Sequence, residues 1–164
     1  MYTATVQITI DNGGFVPYNP TNPAGSSIKA TIGAAMNTSA KGSGGSKVFS
    51  SDSGSGQTIT ITRPQGYTGA VQLTFQLASP DYVLAGIAVN SKTPAGGGAS
   101  PTAGRQQFRT VTINRDQSGS QMIVTDALTD DANYSYLILV QAVTGANAGQ
   151  IGAIDPDIDN DGGE

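Results

Sequence analysis

The residues that could do chemistry are concentrated at the end of the 164-residue chain. Asp157, Asp159 and Asp161 alternate and are followed by a glycine, which matches the start of a calcium-binding loop. In such a loop alternate carboxylates converge on one hard cation, and the glycine permits the sharp turn. Glu164 is the acid that could complete the set, although it stands at position eight of the pattern rather than twelve. A calcium site is one hypothesis, and a solvated acidic tail is the simpler one.

Two absent residue types restrict catalysis. The sequence contains no histidine and no cysteine, which excludes a Ser-His-Asp triad, a thiolate nucleophile, disulfides and thiolate zinc sites. A catalytic reading would need two carboxylates flanking a glycosidic bond. Among the seven acids outside the tail, the candidates are Asp52, Asp81, Asp126, Asp130 and Asp131. Nothing in their spacing selects a pair, so we expect no enzyme and no cofactor, with a carboxylate-based hydrolase as the least favoured alternative.

The charge distribution argues against nucleic acid as a partner. Five of the twelve acids lie in residues 155–164, so the rest of the chain carries seven acids against eight bases. Nucleic-acid binding requires a focused basic face, which eight scattered bases do not predict. The first residues lack the basic and apolar regions of a signal peptide, and no apolar run reaches the ~20 residues of a membrane helix. We therefore expect no membrane insertion and a cytoplasmic location by default.

Alternation of apolar and polar residues predicts the elements that would position these groups. Residues 3–10 place Ala4, Val6, Ile8 and Ile10 on one face, as a half-buried strand does. Similar patterns, separated by Gly-, Ser- and Pro-rich turns, occur at 28–36, 47–49, 57–62, 71–77, 82–89, 109–113, 121–125, 134–143 and 150–154. They predict one all-β domain over residues 1–164, an antiparallel sandwich of about nine strands, with 155–164 as an acidic C-terminal tail.

A corner pattern refines the fold prediction. Asp130-x-Ala132-x-Tyr134-x-Tyr136 resembles the D-x-A-x-Y-x-C sequence with which immunoglobulin-type sandwiches enter a central strand. The resemblance implies an immunoglobulin-like β-sandwich in which the Tyr134 hydroxyl bonds to the backbone of the corner. It places Tyr136 where the family has its disulfide cysteine. It also implies a structural contact between Arg109 and Asp130.

The C-terminal quarter of the chain is similar to that of the small bacterial DP-EP family. Members of that family end in D-P-x-I-x-N-D/E, and the matching residues here are Asp155, Pro156, Ile158, Asn160 and Asp161. The resemblance implies a compact β-sandwich of unknown function. A weaker similarity, in architecture and in a D-P pair near the end, links the chain to bacterial inclusion-body sandwich proteins.

These observations predict a non-enzymatic binding, interaction or structural module. Its expected working surfaces are the long loops 37–56 and 91–104, because rigid sandwiches display loops at their ends. The alternative is a calcium-dependent adhesive or assembly module that uses the acidic tail. The threonine-rich strand 58–62 has few charges to protect an exposed edge, which predicts self-association, for example as a homodimer. No other partner is indicated.

Overall fold

Strands make up all the regular structure that the computed structural model describes. It describes residues 1–11, 13–21, 28–33, 49–51, 59–62, 66–91, 108–116, 119–127, 133–154 and 157–161. The strands are β1 (Tyr2–Ile10), β2 (Ala30–Gly33), β3 (Phe49–Ser51), β4 (Ile59–Thr62), β5 (Val71–Leu77), β6 (Tyr82–Ser91), β7 (Phe108–Asp116), β8 (Gly119–Asp126), β9 (Asn133–Ala142), β10 (Ile151–Ile154) and β11 (Asp157–Asp161). No helix that could cross a membrane occurs among these residues.

The strands form two sheets. The five-stranded sheet has the order β2-β1-β5-β8-β7, in which β1 and β5 run parallel and the other neighbours run antiparallel. The six-stranded sheet is centred on β9, which pairs with β6 along one edge and with both β10 and β11 along the other. It continues from β11 through a parallel pairing with β4 to β3.

The apolar residues that alternate with polar ones in the sequence are the residues that are buried in the strands. In β5, Val71, Leu73, Phe75 and Leu77 are buried, and the three residues between them are half-buried on the opposite face. Nine of the eleven described strands overlap the predicted ranges over most of their length, and β3 shares only Phe49 with the range 47–49, so the all-β prediction is confirmed. The structure describes eleven strands where the sequence predicts about nine, and β11 has no counterpart among the predicted strands.

The buried apolar residues of the two sheets form one core cluster. The rings of Phe75 on β5 and Tyr136 on β9 meet across it, with centroids 5.7 Å apart. A hydrogen bond also joins the sheets, because the backbone N–H of Leu84 on β6 donates to the buried Ser120 hydroxyl on β8 at 2.6 Å. The two sheets therefore pack face to face, as the sequence predicts for a sandwich.

The chain between β1 and β2 leaves the five-stranded sheet and covers the outer edge of β10. Tyr18 donates its backbone N–H to the carbonyl of Ile151, and Ile28 donates to the carbonyl of Ala153, both at 2.7 Å. This approach is close at Gly152, where an added Cβ would lie 2.6 Å from the Val16 carbonyl oxygen. The crossing segment thus depends on a glycine in β10.

Two sequence interpretations change in the structure. β4 is an interior strand between β11 and β3, so the exposed threonine-rich edge predicted at 58–62 is wrong for the residues that form β4. Asp157–Asp161 forms β11 within the sheet, whereas the sequence predicts an acidic tail over 155–164. Both differences have one cause, since β11 occupies the edge of β4 that would otherwise be open.

Candidate functional site

The three aspartates of the predicted calcium loop lie on one extended strand. Asp157 is opposite Ser135 and Asp159 opposite Asn133 of β9, while Asp161 is opposite Thr62 of β4. Alternate residues of a strand are about 6.6 Å apart along the chain. A calcium loop instead curls so that its carboxylates meet at one ion. Glu164 lies outside the described residues, and calcium binding by these four acids stays a prediction.

The corner residues lie on both sheets. Tyr134 belongs to β9, where its backbone is opposite Ile158 of β11, and Arg109 belongs to β7 of the five-stranded sheet. The structure describes these two residues by backbone position alone, and Asp130 lies outside the described residues. The contact between Arg109 and Asp130 and the hydrogen bond of Tyr134 therefore stay predictions.

The two candidate catalytic acids that the structure describes are at opposite ends of the sandwich. Asp81 is exposed just before β6, at the end where β5 finishes at Leu77. Asp126 is fully buried at the other end, opposite Val71. The intervening length of strand is roughly 20 Å, whereas glycosidase carboxylates lie about 5 to 9.5 Å apart. These two acids therefore do not form a catalytic pair, and Asp52, Asp130 and Asp131 lie outside the described residues.

The outer face of the five-stranded sheet, defined here by eleven side chains on β1, β5, β8 and β7, is a continuous surface that the strand registers assemble. The members are Thr3, Thr5, Gln7, Gln72, Thr74, Gln76, Thr112, Asn114, Gln121, Ile123 and Thr125. None of them is buried and none is charged. They share one face because they stand opposite each other in register, and residues opposite in a sheet project to the same side.

An amide row lies along one side of this outer face, next to the central row that contains Thr74. Gln7, Gln76, Gln121 and Asn114 occupy the same register position on four consecutive strands. The Gln7 side-chain amide donates to the Gln76 carbonyl oxygen at 2.9 Å. An amide has two donors and a carbonyl acceptor, so the row retains groups that can bond outward.

The opposite face of the sandwich is more apolar. In β9, Tyr136, Ile138 and Val140 are buried, whereas Leu137 and Leu139 are half-buried on the outer side. The sequence predicts that this strand is covered on both faces, but only the inner face of β9 is fully buried. Nothing among the described residues shows what would cover the other.

Sequence reasoning about function concentrated on loops and missed the outer face. The loops 37–56 and 91–104 lie outside the described residues, apart from β3 and Ser91. The sequence carries a signal for this face, because the outward-facing polar residues of β1, β5 and β8 are Thr and Gln. None of these three strands contains Lys, Arg, Asp or Glu, apart from the buried Asp126 at the end of β8. The parallel pairing of β1 with β5 is what assembles them, and no local pattern predicts it.

Comparison with known proteins supports the fold alone. No family model matches the chain, and no curated protein matches it. Among solved structures, an inclusion body protein (PixA) from Burkholderia cenocepacia is similar over 97% of this chain and 95% of that chain, with a TM-score of 0.52 and 12% sequence identity. This chain is thus similar in fold to a protein of the kind that the weaker of the two sequence resemblances indicated.

Proposed function

We propose that the protein is a non-enzymatic interaction module that associates with copies of itself through the outer face of its five-stranded sheet. The observation that carries the proposal is the absence of charge from these eleven side chains, although Asp116 takes the next alternate position of β7 beyond Asn114. Exposed sheets usually carry charges, which resist association with other sheets. A sheet face of this size without charged side chains is suited to contact another protein surface.

A second copy is the occupant that the chemistry of the face favours. The chain has a formal net charge of −4, so two copies repel each other overall, and an uncharged contact surface adds no like-charge contacts to that repulsion. The amide row is self-complementary, because each amide both donates and accepts a hydrogen bond. In a two-fold symmetric dimer the same patch contacts itself, so an amide row on one copy would meet the row on the other.

The size of the face predicts weak association. Four strands at about 4.8 Å spacing and five residues at about 3.3 Å rise give roughly 19 by 17 Å, or about 320 Å² per copy. A dimer through this face would bury roughly 640 Å² in total, which is below the size of stable interfaces and fits only weak, transient association. We expect a reversible dimer that is populated at high protein concentration.

The architecture that we propose is an immunoglobulin-like sandwich related to the DP-EP family. Two features support the first part: the two packed sheets, and the buried Tyr136, whose ring contacts Phe75 where the corner pattern would have a disulfide. The DP-EP relation rests on the sequence around Ile158. The similar solved protein is described as an inclusion body protein, and a structural role without catalysis is what we propose for this chain.

Light scattering over a concentration series tests the proposal. Wild-type protein is expected to increase in average mass with concentration, and Thr74→Lys, which charges the centre of the outer face, is expected to stay monomeric. Thr68→Lys introduces the same change at an exposed position in the turn before β5 and should behave as wild type. Monomeric wild-type protein at the highest concentration, or equal association of the three proteins, would overturn the proposal. Thermal melts of both variants check that they fold.

A further inference from the structure

A pocket of about 270 Å³ lies at the end of the sandwich where β6 begins and β9 ends. It is lined by Asp81, Tyr82, Ala142, Thr144, Gly145, Ala146 and Asn147. Four of these side chains carry oxygen or nitrogen groups: the Asp81 carboxylate, the Tyr82 and Thr144 hydroxyls, and the Asn147 amide. The lining also includes the aromatic ring of Tyr82.

The polar groups of this pocket are held in place by the protein itself. The Thr144 hydroxyl donates to the Asp81 carboxylate, and the Val143 N–H donates to the Asp81 carbonyl at 2.8 Å. The Asp81 N–H in turn donates to the Ser79 hydroxyl at 3.2 Å. The bonds from Thr144 and Val143 tie the turn before β6 to the turn after β9. The carboxylate is therefore oriented before any ligand arrives, which lowers the entropic cost of binding.

The ring of Tyr82 is also fixed. It stacks on Phe15, with centroids 5.4 Å apart and an angle of 17° between the planes. Phe15 is buried and Tyr82 is half-buried. One side of the Tyr82 ring is thus held by the core while the residue contributes to the pocket wall.

The turn after β9 adds hydrogen-bond donors. Its backbone bonds within the described part of the chain are donated by Ala148, Gly149 and Gln150. The N–H groups of Thr144, Gly145, Ala146 and Asn147 donate none of these bonds. Donors and acceptors therefore both occur among the lining residues, with the Asp81 carboxylate as an acceptor and the Asn147 side-chain amide as a donor and acceptor.

This combination selects among ligand classes. The lining contains a carboxylate and no basic side chain, so it would repel an anion. An ammonium group can only donate hydrogen bonds, so it would leave the N–H donors of the pocket without a partner. A hard metal ion needs several oxygen ligands, usually with more than one carboxylate. A hydroxyl group both donates and accepts, and a sugar ring also has an apolar face that packs on an aromatic ring. We propose that this pocket binds a neutral saccharide, through a single sugar ring that its volume can hold.

NMR titration of ¹⁵N-labelled protein tests this proposal with glucose, galactose, mannose and N-acetylglucosamine as probes. For at least one sugar we expect saturable shifts of the Gly145 and Asn147 amide signals, with a Kd of roughly 1 mM or above, as suits a small exposed pocket. Asp81→Asn should weaken that response at least tenfold, because the amide accepts a sugar hydroxyl less strongly than a carboxylate does.

Asp11→Asn is the matched control. Asp11 is also exposed and also accepts a threonine hydroxyl, that of Thr31 at 3.5 Å, but it does not line the pocket. This variant should keep the wild-type response. No shift with any of the four sugars would overturn the proposal, as would an unchanged response in Asp81→Asn. Equal shifts with methylammonium or sulfate would overturn it as well. The proposal is independent of self-association, since Thr74→Lys should leave the sugar response unchanged.

Discussion

Gly152 is the residue at which the fold depends most directly on the absence of a side chain. An added Cβ would lie 2.6 Å from both the Val16 carbonyl oxygen and the Ile28 Cδ1 atom. Val16 belongs to the segment that covers β10, so backbone must move to relieve the contact. We expect Gly152→Ala to lower the free energy of unfolding by about 1 to 3 kcal/mol, as measured by urea denaturation.

Gly86 provides the control for this substitution. It also lies in a strand of the six-stranded sheet, but an added Cβ would meet only Leu139 Cδ1 at 3.7 Å, an ordinary contact. Gly86→Ala should leave stability unchanged or raise it by about 0.5 kcal/mol, because alanine loses less backbone entropy on folding. Equal destabilisation by the two substitutions would contradict the close approach at Gly152.

Ser120 joins the two sheets through its hydroxyl, which accepts the Leu84 N–H inside the sandwich. We expect Ser120→Ala to cost about 1 to 3 kcal/mol, because it leaves a buried backbone donor without its acceptor. Ser79→Ala removes a hydroxyl that accepts the N–H of the exposed Asp81, and should change stability by less than about 0.5 kcal/mol. Chemical denaturation measures both, and a neutral Ser120→Ala would show that water replaces the bond.

At the scale of the element, β11 connects two parts of the six-stranded sheet. It pairs with β9 on one side and with β4 on the other, and β4 carries β3. A chain truncated after Ile154 should therefore melt well below the full chain, because β4 loses its link to the sheet. Removal of residues 162–164 alone is the control and should have a small effect. A truncation after Ile154 that melts like the full chain would contradict the central place of β11.

Calcium provides a separate test of the same element. The extended backbone of Asp157–Asp161 does not bring alternate carboxylates to one point, so we expect millimolar calcium to leave the melting temperature of the full chain unchanged relative to EDTA. A ligand that binds only the folded state must stabilise it. A rise of several degrees, absent from the chain truncated after Ile154, would instead support the calcium site that the sequence predicts.

The strands show how far local sequence predicts this fold. β1, β5 and β8 are predicted because their apolar residues alternate with polar ones and one face is buried. β11 is missed because aspartate is rare in strands and Pro156 precedes it, so local propensity favours an extended tail. Its pairing with β4, almost one hundred residues earlier in the chain, overrides that propensity. The same distant pairing makes β4 an interior strand.

For the candidate sites, the sequence predicts residue types better than it predicts neighbours. Asp81 appears in the sequence as one of several acids, and only the hydrogen bonds from Thr144 and Val143 show that it belongs to a pocket. The amide row is likewise spread over residues 7 to 121 and becomes continuous through strand register. Contacts of this kind depend on tertiary pairing, which short sequence patterns do not encode.

On the scale of the whole molecule, the two outer faces and the end pocket have different chemistry. The outer face of the five-stranded sheet is uncharged and rich in amides and hydroxyls, while β9 presents the half-buried Leu137 and Leu139 on the opposite side. The saccharide pocket lies at one end, away from the centre of either face. A module with this arrangement could associate with copies through a sheet face and still leave its end pocket accessible.

Thiol crosslinking tests the central claim, self-association through the outer face, most directly. Because the chain contains no cysteine, one introduced cysteine is the only thiol, and a short bifunctional thiol reagent then reports which surfaces meet. We predict a covalent dimer for Thr74→Cys at concentrations where the wild type associates, and monomer for Thr68→Cys and for Ala88→Cys, which places the thiol at an exposed position on β6 of the other sheet. A dimer from Ala88→Cys with none from Thr74→Cys would contradict the account.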